Sequence, residues 1–177
     1  PLLIWFYRRY AGPHAEDAPF AAKVAKGTLH CGAGCALADL ICENLAHYVP
    51  GVLAYFGLGT IFSTEIFAVW TMDYVFALLT GIVFQYFAIA PMRDLSVGEG
   101  VMAAAKADVL SLTSWQVGMY GLMGLAHFIL FPAFVGDKVD AGSPVFWAAM
   151  QMAMLAGFAS AYFPNWLLIR SGLKEEM

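Results

Sequence analysis

Hydrophobic residues fill four long stretches of the chain, each closed by proline, glycine or small polar residues, and each predicts a membrane-spanning helix. The first runs from about Thr28 to Tyr48 and ends at Pro50-Gly51. After Ser63-Thr64, the second covers about Ile66 to Ala90 and is stopped by Pro91. The third runs from Val101 to Phe131, with Pro132 just beyond. Pro144 takes the first-turn position of the fourth, which reaches Ile169. The stretches 28–48, 66–90, 101–131 and 144–169 all clear the roughly 20 residues that cross a bilayer. The expected fold is all-α, a polytopic transmembrane helix bundle of four full spans.

Two further segments are apolar but short. Pro1 to Tyr7 halts at Arg8-Arg9 and reads as the tail of an upstream, truncated helix. Residues 1–27 are then the end of that helix plus a cytoplasmic linker, and 28–177 the bundle. A signal peptide fits less well, because the basic residues follow the apolar run instead of preceding it. Gly51 to Phe62 is too short to span and reads as an interfacial or re-entrant piece.

Composition agrees with a membrane protein. The chain is 61% hydrophobic and 12% charged, with mean hydropathy +0.70, against a charged share of about 25% in soluble domains. A net charge of -4 with no basic patch excludes nucleic acid as a partner. Cys31, Cys35 and Cys42 all lie in the first stretch and make no disulfide framework.

Charge placement predicts an orientation. Arg8, Arg9, Lys23, Lys26, Arg93, Lys106, Arg170 and Lys174 fall on one side of the four spans, and Lys138 alone on the other. That bias makes the Arg8/Arg9 side cytoplasmic and the protein a multi-pass component of the inner (cell) membrane.

Inside the first stretch every fourth residue from 31 to 47 is ionisable or metal-ligating: Cys31, Cys35, Asp39, Glu43, His47. At ~1.5 Å per residue the ladder covers roughly 24 Å, most of a bilayer core. Ionisable groups at that depth face a bundle interior and mark function. Counted from the cytoplasmic ends, Cys31, Cys35, Gln85, Lys106 and Asp108 form an inner layer. Glu43, His47, Asp73, Met119 and the Met150/Met152/Met154 group form an outer one, and Asp39 falls between.

The ladder is not one site, since steps of four precess by about 40° and turn His47 roughly 160° from Cys31. Neighbouring pairs do share a face. Cys31/Cys35 is one pair, with His30 alongside but pointing elsewhere, and Glu43/His47 another. Thiolates select Cu(I), whereas imidazole with carboxylate suits harder ions. Against this stands plain packing: the thiols lie among Gly32, Ala33, Gly34 and Ala36, where helices approach closely. Methionines are common core filler, and His47 and His127 sit where water reaches them. Asp39, Glu43, Asp73 and Asp108 are harder to explain as packing.

The segment His30-Cys31-Gly32-Ala33-Gly34-Cys35-Ala36-Leu37-Ala38-Asp39 resembles the signature of a bacterial and archaeal membrane family known as a domain of unknown function, DUF4396. So do Phe84 to Arg93, Lys106 to Thr113, and the ending Asn165 to Ile169 with Gly172 to Glu175. The resemblance covers the chain from about Thr28 and implies no settled activity. Relatives are sometimes labelled copper oxidases, which adds to the case for copper.

Other chemistries lack their residues. The chain has no phosphate-binding glycine loop, nucleophile elbow or H-E-x-x-H. Glu43 and His47 are four apart and unrepeated, unlike the ferritin-like di-iron pattern. The leading expectation is a small membrane protein that binds or relays a soft metal, copper first, through Cys31, Cys35, Asp39, Glu43 and Asp73. His30, His47, Gln85, Lys106, Asp108 and Met119 are supporting polar or soft groups. One alternative is an accessory subunit of a larger membrane complex, with other membrane subunits or a second copy as partner. Another is a membrane oxidoreductase using Cys31/Cys35 as a dithiol.

Overall fold

A few capping residues decide where each helix begins and ends. The computed structural model describes residues 18–89, 96–136 and 139–174. Helix α1 spans Phe20–Tyr48, α2 Glu65–Ile89, α3 Val97–Leu125 and α4 Pro144–Arg170. Helix α1 starts ahead of the predicted Thr28 because Phe20 to Lys26 contains no breaker, so Lys23 and Lys26 lie on the helix itself. It stops at Tyr48, as Pro50 disfavours helical backbone at the residue before it. Helix α3 begins at a capping box: the Glu99 carboxylate accepts from the Ser96 N–H at 3.1 Å and from its hydroxyl at 2.6 Å. At α4 the Ser143 hydroxyl accepts from the Val145 N–H at 3.2 Å, with Pro144 in the first turn.

Pro132 does not end the third helix, contrary to the sequence expectation. A π-helical turn at Ala126–Leu130 leads into Phe131–Phe134. Proline donates no N–H and crowds the carbonyl four residues back, and a widened turn relieves both.

Among the described residues, Glu65–Phe87, Val97–Phe134 and Pro144–Arg170 are long and apolar enough to cross a membrane. The sequence expectation was four. Helix α1 has 29 residues, but Asp39, Glu43, His30 and its two lysines dilute its apolar character below that of the other three. The segment after α1 forms a short 3-10 helix, Pro50–Phe56, that buries Leu53 and leaves Tyr55 exposed. The apolar start with Arg8 and Arg9, and also Arg93 and Lys138, lie outside the described residues.

The helices pack in a ring, α1 on α2, α2 on α3, α3 on α4 and α4 on α1, with α1 and α3 also touching across the diagonal. Trp115 of α3 makes that diagonal contact. Its ring occupies the space a side chain at Gly32 of α1 would need, and Gly157 of α4 gives way to it on the other side. Outward faces carry Leu40, Ile41, Leu79, Leu110, Val117, Leu155 and Phe163, an apolar surface suited to lipid.

Candidate functional site

Spacing by four puts Asp39 and Glu43 on the same face of α1, and that face turns inward. Asp39 is 1% exposed, Glu43 8% and Asp73 of α2 1%. Asp73 lies within electrostatic reach of both α1 carboxyls, so the three form one triad between α1 and α2. Helix α3 closes it. Gln116 is buried facing Asp39, and Tyr120 faces the same group while its hydroxyl donates to the Trp70 carbonyl at 2.9 Å. The Cys42 thiol sits beside Asp73.

What distinguishes the triad is what its oxygens lack. No hydrogen bond of good geometry reaches either oxygen of Asp39 or of Asp73, nor either amide atom of Gln116, although Gln116 faces Asp39. No ion pair among the described residues reaches Asp39, Glu43 or Asp73. Buried polar side chains are normally satisfied, and the exceptions concentrate at functional positions.

Asp108 of α3, whose oxygens likewise lack a hydrogen bond, differs in having a cation beside it. After Arg170 the chain reverses through Gly172, which adopts φ +71°, the left-handed conformation that glycine tolerates best. Backbone bonds from the Leu173 and Lys174 N–H groups to the Leu168 carbonyl, at 3.0 and 3.1 Å, fix the reversal. Lys174 thereby points back under the bundle and is 2% exposed. Its Nζ lies 3.7 Å from Asp108 Oδ1 and donates to Asn165 Oδ1 at 2.8 Å and to Ser111 Oγ at 3.4 Å. The Ser111 hydroxyl donates to Asn165 Oδ1 at 3.0 Å. This group ties α3 to the end of α4, and the Asp108 carboxylate rests on Gly81 of α2.

The remaining candidates are scattered. Cys31 and Cys35 are buried free thiols in contact with each other, inside an apolar cluster with Ala38, Leu112, Trp115 and Met119. His30 is half-buried against the Phe84 ring, 6.2 Å between centroids, and its Nε2 has no hydrogen-bond partner. Gln85 is buried with both amide atoms unpaired. His47 is exposed, with Nδ1 3.6 Å from Asp140 Oδ1. Lys106 is exposed, and the lysine beside Asp108 is Lys174. The thiol pair and the triad are separate: among the described residues no group of three or more His, Cys, Asp or Glu side chains is arranged to hold a metal ion.

A cavity of about 210 Å³ opens where α1 ends and α2 begins. Glu43 and His47 of α1, Glu65 and Trp70 of α2, and Met123 and His127 of the third helix line it. Sequence reasoning missed Gln116, Asn165, Ser111 and Glu65 as site residues. Gln116 and Asn165 were nonetheless signalled, as polar amides within otherwise apolar helices.

A sequence model of the family described as "Domain of unknown function (DUF4396)" matches residues 22–174. No curated protein and no solved structure matches the chain.

Proposed function

The chain belongs to the DUF4396 family, which brings no activity with it, and from the geometry we propose that it is a multi-pass membrane protein that takes up and releases protons at Asp39, Glu43 and Asp73. The observation that carries this reading is three carboxyls buried together with no cation among the described residues and, on Asp39 and Asp73, no hydrogen bond of good geometry. A bare carboxylate in an apolar interior costs several kcal/mol, and a bound proton removes that cost. Intramembrane carboxyls in relays do this work. Infrared spectroscopy of the protein in lipid tests the reading. A protonated-carboxyl band that shifts in deuterated water and titrates with pH is expected. Its absence from the wild-type protein sinks the proposal.

In this reading α1 is a fourth span, with the Arg8/Arg9 side cytoplasmic in the inner membrane. The outward residues Leu29, Leu37, Leu40 and Ile41 support it, since they give α1 an apolar lipid-facing side opposite the ladder. Single cysteines at positions 18 and 55, which bracket α1, in a variant whose native cysteines are serine, should label from opposite sides of the membrane. Labelling from one side would remove the fourth span.

The contact between Cys31 and Cys35 favours a second reading, a Cu(I) site. Two sulfurs one turn apart suffice for linear coordination and need no ligand from the triad. Protein purified without oxygen should carry copper, and Cys31→Ser with Cys35→Ser should lose it at unchanged helix content. Copper-free wild type, or a double variant that keeps its copper, leaves the thiols as packing residues.

A further inference from the structure

Glu43 belongs to the triad and also lines the outer cavity, while Asp39 lies one turn deeper on α1. It is 8% exposed, and no hydrogen bond or ion pair among the described residues engages its carboxyl. A buried, unpartnered acid at the edge of a cavity calls for a positive ligand. We propose that this cavity binds a small organic ammonium ion, its charge against Glu43 and its alkyl groups against Val69, Trp70, Met123 and Phe146. The proposal rests on the triad being functional and gives that site its substrate class.

Charge, wall chemistry and size each narrow the ligand. Glu65 and Asp140 add to Glu43, and among the described residues no lysine or arginine lines the space, so an anion is disfavoured. The other walls are mainly apolar, which suits alkyl groups better than a hydrated inorganic ion. Calcium takes 6–8 oxygen ligands and magnesium an octahedron, whereas no three acidic or histidine side chains here are arranged for a metal. An ammonium ion needs one carboxylate and a desolvated apolar or aromatic surround. A volume of about 210 Å³ lies below the ~300–1,000 Å³ of drug-sized sites and limits the ligand to a few carbons. The π-helical turn of the third helix carries His127 into the cavity wall, and such turns recur at functional sites.

Titration calorimetry on the whole protein in lipid nanodiscs, with n-butylammonium and tetramethylammonium chloride, tests this. Saturable binding of at least one is expected, unaffected by equimolar calcium. Glu43→Gln should weaken it at least ~10-fold, and Glu43→Asp, which keeps the charge, should retain most of it. No saturable binding, equal affinity in Glu43→Gln, or displacement by calcium at lower concentration overturns the proposal. Loss in Glu43→Asp as severe as in Glu43→Gln overturns the charge argument and with it the ammonium assignment. The infrared carboxyl band of Asp39 and Asp73 is read independently. If it persists while ammonium fails to bind, the ligand falls and the proton reading stands; if it is absent, the proton reading falls whatever binds.

Discussion

Lys174→Met should destabilise the bundle by about 3–5 kcal/mol, the usual cost of stranding a buried charge by removing its partner. Three links break at once. Asp108, 1% exposed, loses the cation 3.7 Å away. Asn165 Oδ1 loses its 2.8 Å donor, and Ser111 Oγ one of its two contacts in the cluster. Methionine fills the volume without replacing any of these, so the effect is electrostatic and not a cavity. The double variant Lys174→Met, Asp108→Leu should recover most of the loss, because a buried ion pair replaced whole by apolar groups is often neutral. Thermal unfolding in mild detergent, followed by helical circular dichroism, gives both values. A loss below about 1 kcal/mol in the single variant would mean that water or lipid headgroups already solvate Asp108.

That lock was not legible in the sequence, and the reason is range. Asp108 and Lys106 are two residues apart and point to different faces of one helix, so the partner of Asp108 had to come from elsewhere. Finding it requires knowing that Gly172 takes a left-handed conformation and folds the chain end back under α4. Features encoded within a few residues were legible. Pro50, Ser63-Thr64 and Pro144 bracket α1, α2 and α4 as expected, and the four-residue ladder already places Asp39 and Glu43 on one face. The stop at Pro132 failed because a proline rule is local, while the π-helical turn that absorbs it is a property of the packed helix. Membership of Asp73 in the triad depends on the register between α1 and α2, which no residue pattern states. The unpaired state of Asp39 and Asp73 is harder still, since it rests on what α3 brings opposite: an amide and a tyrosine, and no cation.

Asp39→Asn with Asp73→Asn should produce the reverse of the Lys174 result. The exchangeable carboxyl band is expected to fall to the Glu43 contribution alone, yet the protein should unfold at the same temperature or higher. Both predictions concern buried carboxyls, and their signs differ because their surroundings differ. Asp108 faces an ammonium that Asn165 and Ser111 hold in place, so breaking the pair exposes a cost that was already compensated. Asp39 and Asp73 have no cation among the described residues and no hydrogen bond of good geometry, so no ion pair is lost when they are neutralised. Asparagine matches the size of aspartate and cannot ionise, which removes the charge penalty and leaves the packing intact. Groups that cost stability and are kept nonetheless fit a functional role better than a structural one. If the double variant lost more than about 1 kcal/mol, the triad would be holding α1 to α2 through contacts to water or a bound ion. The proton reading would then give way to a structural one.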